Sequence, residues 1–105
     1  SFLNMCGGMQ NETSIDGDEM RKRAITFGAN LGQRDGQVVL KQADKIPQKY
    51  RANYIVLPRT VRVLRVSGER CVPILYWYGS HWIMGLNRLS DPWFANDLFL
   101  VPRKA

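Results

Sequence analysis

Histidine, cysteine and long apolar runs are scarce in this sequence, and each scarcity excludes a class of protein. The two cysteines, Cys6 and Cys71, form no Cys-x-x-Cys pair, and with one histidine in the chain they build no zinc-ligand cluster. No apolar run reaches roughly 18 residues, and no glycine-rich phosphate loop occurs. We therefore expect no metal, no cofactor and no membrane association, in a reducing, cytoplasmic setting.

The composition is that of one folded domain. Of the 105 residues, 45% are hydrophobic and 23% are charged, as in ordinary globular chains. Residues 1–12 mix glycine and amide side chains with scattered apolar groups and show no periodicity. This pattern predicts a flexible N-terminal arm over 1–12 and a single domain over 13–105.

One helix is predicted directly after the arm. Asp16 is a typical N-cap, and Glu19 stands three residues later, where a capping box places its acid. Apolar residues then recur at spacings of four, three and four, at Met20, Ala24, Phe27 and Leu31. This spacing predicts a helix over 17–31 that ends at Gly32.

The remainder of the chain has the pattern of short strands joined by turns. Strands are predicted over 37–42, 53–57, 60–66, 70–78, 81–86 and 98–101. Because Pro73 lacks an amide donor, its strand is expected at an edge or bulged near its start. We predict an α+β fold, with one N-terminal helix packed on a small, mainly antiparallel sheet, or partly closed β-barrel, of five or six strands.

Positive charge is concentrated in the middle of the sequence. Residues 1–20 carry four acidic side chains and no basic one, whereas the other 85 residues carry 15 basic and 5 acidic groups. Between Lys41 and Arg70 alone, eight basic residues stand against two acidic ones. An asymmetry of this size favours a polyanionic partner.

This basic stretch runs directly into residues 71–78, the most aromatic part of the chain, which predicts nucleic-acid binding by a cationic β-surface. Phosphates are expected at six cations and stacked bases at two rings, namely Lys49, Arg51, Arg59, Arg62, Arg65, Arg70, Tyr76 and Tyr78. Arg62 and Arg65 are three apart on a predicted strand, so they point to opposite faces and make no continuous stripe. The alternative is a solvated basic face around an ordinary core.

A protein interface is the second hypothesis. Trp93, Phe94 and Phe99 crowd the C-terminal segment, where a small domain has little interior for them. They predict a patch for a partner protein or a second copy of the chain. The alternative is that they close the core under the helix.

Catalysis has the least support in the sequence. His81 follows Ser80, and neighbouring strand residues point to opposite faces, so a direct relay between them is not expected. Met5-Cys-Gly-Gly8 resembles the opening of SOS-response-associated peptidases, in which the cysteine after the initiator methionine is the nucleophile. Four residues precede Met5 here, and the Asn, Glu and His pattern of that family is missing. We predict a non-catalytic binding protein, with a Cys- or Ser-dependent hydrolase using His81 as a remote alternative.

Overall fold

A computed structural model of the chain describes residues 2–4, 14–94 and 97–100, the first three by their backbone alone. In this part of the chain two helices and eight short strands occur, with a turn of 3₁₀ helix at Ala43–Lys45 and another at Gln48–Tyr50. The helices are α1 (Gly17–Thr26) and α2 (Gln33–Leu40). The strands are β1 (Phe2–Asn4), β2 (Ser14–Ile15), β3 (Ile55–Val56), β4 (Arg62–Val63), β5 (Arg70–Tyr78), β6 (His81–Arg88), β7 (Trp93–Phe94) and β8 (Leu98–Leu100).

The main sheet is built around β5. The strand β6 pairs antiparallel with β5 from Cys71 to Tyr78, and β3 and β4 follow one another, also antiparallel, along the other side. The strand β8 runs parallel to β3, and β1 pairs antiparallel with β8. A separate two-stranded sheet joins β2 and β7. The main sheet is open among the described residues, because its outer strands β1 and β6 do not pair. The α+β prediction is confirmed, and the partly closed barrel is wrong.

Buried side chains cover both faces of this sheet. On one face, Val72 and Ile74 of β5 belong to a cluster with Met20 and Ala24 of α1. On the other face, Leu75 of β5 lies in a second cluster with Val39 and Leu40 of α2 at its border. A second helix covers the apolar groups on the second face, so no closure of the sheet is needed to bury them.

The start of α1 agrees with the sequence, but its end does not. The Asp16 side chain accepts a hydrogen bond from the Glu19 N–H at 2.8 Å, as expected of an N-cap. The helix ends at Thr26 because Gly28 adopts a φ of 68°, the left-handed conformation that stops a helix. The predicted extension to residue 31 is therefore wrong.

The strand predicted over 37–42 is also wrong, since most of it belongs to α2. The first free amides of α2 find acceptors elsewhere: Gln33 N–H donates to Thr60 Oγ1 and Gly32 N–H to an Asp35 carboxylate oxygen, both at 2.8 Å. Gly36 then lets the helix approach the sheet, because a Cβ there would overlap Leu57 Cδ1. A turn-like Arg-Asp-Gly sequence thus forms a helix.

Pro73 lies in the central strand and not at an edge. Its carbonyl accepts a hydrogen bond from Leu57 N–H at 3.0 Å. The N–H and C=O of a strand residue point to the same side, so the missing donor of Pro73 also faces this neighbour. The register is broken there, because residues 57–61 lie opposite only residues 72 and 73. The bulge expected in the strand of Pro73 therefore lies in the neighbouring segment, residues 57–61. The strand predicted over 60–66 is present only as β4, which is shorter.

Both ends of the described chain take part in the main sheet. Residues 2–4 of the predicted arm pair with β8 as β1, and residues 5–12 lie outside the described residues. The last predicted strand is present as β8, one residue shorter within the described part. In the described part of the chain, no helix has the length and apolar character needed to cross a membrane.

Candidate nucleic-acid interface

The cations predicted from the sequence do not form one surface. Arg62 pairs in register with Cys71, and its guanidinium bonds Gln33 Oε1 at 3.0 and 2.7 Å beside α2. Arg70 lies next to Cys71 on β5, so its side chain points to the opposite face, where it pairs with Asp18 of α1 at 3.2 Å. These two arginines lie on opposite sides of the sheet.

Two further predicted cations also lie away from the aromatic end of the sheet. Arg59 pairs with Asp35 at the start of α2, at 3.6 Å. Arg65 is exposed in the turn between β4 and β5. From Cys71 to Trp77 the strand rises about 20 Å, at roughly 3.3 Å per residue. The arginines near the start of β5 are therefore far from the rings at its end.

A different cationic feature is present at that end, formed by the segment 41–51, which we call the basic strap. Ile46 is buried against the sheet, and Ala43 and Tyr50 pack against the same cluster, so the strap is anchored. Its four cations are all exposed, and Asp44 is its single acid. The four cations are Lys41, Lys45, Lys49 and Arg51.

Arg51 is held in place by an aromatic ring. Its guanidinium carbon lies 3.8 Å from the centroid of the Trp77 ring, within the range of a cation–π contact. Among the described residues, the Arg51 guanidinium has no hydrogen-bond or ion-pair partner. Because no carboxylate of the described residues pairs with the guanidinium over this ring, its N–H groups are available to an anion.

A pocket of about 260 Å³ lies beside this contact, and we call it the tip pocket because the β5–β6 turn forms one wall. Trp77 and Trp82 contribute rings that meet edge to face, with centroids 6.0 Å apart and planes at 71°. The pocket is lined by Ala43, Asp44, Ile46, Arg51, Trp77, Ser80, His81 and Trp82. It therefore combines aromatic walls with polar groups at one end of the sheet.

The turn that closes the tip pocket brings Ser80 and His81 together, against expectation. Gly79 has a φ of 66°, and the Ser80 N–H donates to the Tyr78 carbonyl at 2.6 Å, as in a γ-turn. Ser80 lies in this turn and not on a strand, so strand alternation does not separate the two side chains. Ser80 Oγ lies 3.2 Å from His81 Nδ1. The expectation of poor geometry was wrong.

The predicted tyrosines lie on the other face of the same hairpin. Tyr76 and Tyr78 alternate with Trp77 along β5, and their ring centroids are 6.4 Å apart at 84°. Tyr54 meets Tyr76 edge to face at 6.0 Å. Tyr78 is 64% exposed, whereas Tyr76 is half-buried. Of the predicted nucleic-acid set, Lys49, Arg51, Tyr76 and Tyr78 share this end of the sheet.

Two of the three residues predicted to form a protein interface do not lie on the surface. Trp93 and Phe99 are fully buried in the cluster under α1, which is a correction to the second hypothesis. Phe94 stays exposed, because it alternates with Trp93 along β7. Trp93 and Phe99 thus close the core, as the alternative had it, and Phe94 does not.

Cys71 is a buried free thiol. Burial raises its pKa, and the nearby Glu69 carboxylate raises it further, so the nucleophilic thiolate is disfavoured. Cys6 and the Met5–Gly8 segment lie outside the described residues. Within the described stretches, no group of three His, Cys, Asp or Glu side chains is placed to hold a metal ion.

No protein-family model, no curated protein and no solved structure matches the chain.

Proposed function

We propose that the protein is a non-catalytic binder of single-stranded nucleic acid that uses the basic strap and the tip of the β5–β6 hairpin. The observation that carries this proposal is the Arg51 guanidinium, which lies over the Trp77 ring with its N–H groups available. Arg59, Arg70 and Arg88, by contrast, each pair with a carboxylate of the protein itself. Arg51 is the arginine of the predicted set that lies over an aromatic ring and has no carboxylate partner among the described residues.

The strap supports the proposal by its charge. Its exposed lysines line one segment with Arg51, and a strand that binds there releases counterions from its phosphates. Such binding weakens as salt rises, with a slope set by the number of phosphates contacted.

The rings at the hairpin tip favour a single strand over a duplex. Tyr78 exposes most of its side chain beside the turn, whereas Trp77 is half-buried and already covered by Arg51. Unpaired bases stack on such rings, whereas a duplex keeps its bases stacked on each other and offers mainly phosphates. We therefore expect a short single strand to bind more tightly than a duplex of the same length.

The test is fluorescence anisotropy with a labelled single strand and a matched duplex over a series of salt concentrations. The Lys45→Gln/Lys49→Gln variant removes two strap cations. If both contact phosphates, the magnitude of the slope of log K against log salt falls by about 1.4, at roughly 0.7 per phosphate for single strands.

The matched control is Arg34→Gln/Arg65→Gln, which removes the same charge at two exposed positions outside the strap. We expect its salt slope to equal that of the wild type. If both double variants lowered the salt slope equally, net charge alone would explain the effect and the strap would be refuted as the site. A wild type that binds neither probe would also refute it.

A further inference from the structure

We infer that the tip pocket receives the phosphate monoester at the end of a nucleic-acid strand. This inference rests on the proposed function and adds which part of the ligand occupies the pocket. The strap ends at Arg51, and Arg51 also lines the pocket. Ala43, Asp44 and Ile46 of the strap line the pocket as well, so a strand whose phosphates follow the strap runs beside the pocket and can place its end there.

The pocket offers an anion at least one donor besides Arg51, whichever way the Ser80–His81 contact is protonated. If the Ser80 hydroxyl donates to His81 Nδ1, then Nε2 carries the ring proton and is a donor. If Nδ1–H donates to Ser80 Oγ, the hydroxyl proton of Ser80 is available. Both arrangements fit the 3.2 Å separation between Oγ and Nδ1.

A monoester fits these donors better than an internal phosphodiester. It carries a charge of about −1.5 to −2 near neutral pH and three terminal oxygens, whereas a diester has one charge and two such oxygens. The Arg51 fork can bind two oxygens side by side, and the Ser80–His81 pair can reach the third. The donor set thus matches the group that only a strand end carries.

The size of the pocket and its walls limit what accompanies the phosphate. A volume of about 260 Å³ lies just below the smallest usual ligand pockets, at roughly 300 Å³. The Trp77 and Trp82 rings can hold one base or sugar against an apolar surface. Asp44 also lines the pocket and repels a phosphate, so Asp44→Asn is expected to tighten binding of the phosphorylated end.

The experiment compares three oligonucleotides of one sequence, bearing a 5′-phosphate, a 3′-phosphate or neither, by anisotropy at fixed salt. We expect one phosphorylated form to bind about tenfold more tightly than the form without phosphate, the effect of one charge-assisted hydrogen bond. Arg51→Lys keeps the charge but loses the fork and should abolish most of this gain, as should His81→Gln. The matched control Arg65→Lys should keep it.

The outcomes separate the two proposals. If all three oligonucleotides bind equally, the strand-end inference fails while the proposed function stands. If none binds, both fail. If a free nucleoside monophosphate binds but neither terminal phosphate adds affinity, the pocket is a nucleotide site and the strand-end inference is overturned.

Discussion

At the scale of single residues, the surroundings of each arginine decide what it can do. Arg23 pairs with Glu19 along α1, and Arg70 pairs with Asp18 from a strand 52 residues further on. Arg51 meets a ring in place of a carboxylate. Exposed ion pairs contribute little to stability. A guanidinium that pairs with a carboxylate of the protein is nevertheless less available to a phosphate. Identical side chains therefore differ in their availability to a ligand.

Asp97 carries the residue-scale prediction on pH. It is 5% exposed, and burial raises its pKa although its carboxylate accepts the Phe94 N–H at 2.8 Å. The folded protein therefore holds this proton more tightly than the unfolded chain. Its contribution to stability is full at pH below the unfolded value and is lost as pH rises through the folded pKa.

We accordingly expect Asp97→Asn to stabilise the fold near neutral pH, because the amide oxygen can accept the same N–H without charge. The advantage over the wild type should shrink as pH falls to about 3, below the ordinary Asp pKa of about 3.9. Thermal unfolding of both proteins at several pH values measures this difference in stability. A variant that loses stability equally at every pH would show that the charge has no role.

At the scale of elements, α2 shows why a helix can escape sequence analysis. Its start is capped by Thr60, which lies 27 residues away and is not a neighbour in the chain. Its Gly36 disfavours a helix locally but permits close packing on Leu57. The bond from Gly32 N–H to Asp35 is local, but beside Gly36 the same residues are equally typical of a turn, so the sequence did not predict this helix.

Thr60→Val tests that cap. Valine keeps the shape of the side chain but cannot accept the Gln33 N–H, so we expect a loss of about 1 kcal/mol in the free energy of unfolding. Chemical denaturation measures it. Thr26→Val is the matched control, because the Thr26 hydroxyl bonds the Lys22 carbonyl at an exposed position and its loss should be much smaller. Equal losses would mean that Thr60 does not cap α2.

At the scale of the whole molecule, the sheet is buried on both faces, and we expect it to open only when the fold opens. Cys71 lies in β5 at 2% exposure, with β4 and β6 on either side. A thiol reagent needs an accessible thiolate. We therefore expect Cys71 to react only when β5 separates from its neighbouring strands.

In a Cys6→Ser background, we expect Cys71 to react with an aromatic disulfide at least about a thousandfold more slowly in the folded protein than in denaturant, as a global stability of at least about 5 kcal/mol implies. The control is Ser80→Cys with Cys6 and Cys71 both replaced by serine. This variant places an exposed thiol in the turn and should react fast when folded. Rapid labelling of native Cys71 would contradict a closed sheet.

The sequence by itself determined what depends on near neighbours: the Asp16 cap, the β5–β6 hairpin around Gly79, the α+β class and the basic middle of the chain. Tertiary structure alone decided α2, the open sheet, the burial of Trp93 and Phe99, and the separation of Arg62 from Arg70. It also brought the strap to the Trp77 ring. The reason is physical: caps, turns and alternation act over a few residues, whereas face coverage and charge pairing depend on partners that are far apart in the chain and that only folding brings into contact.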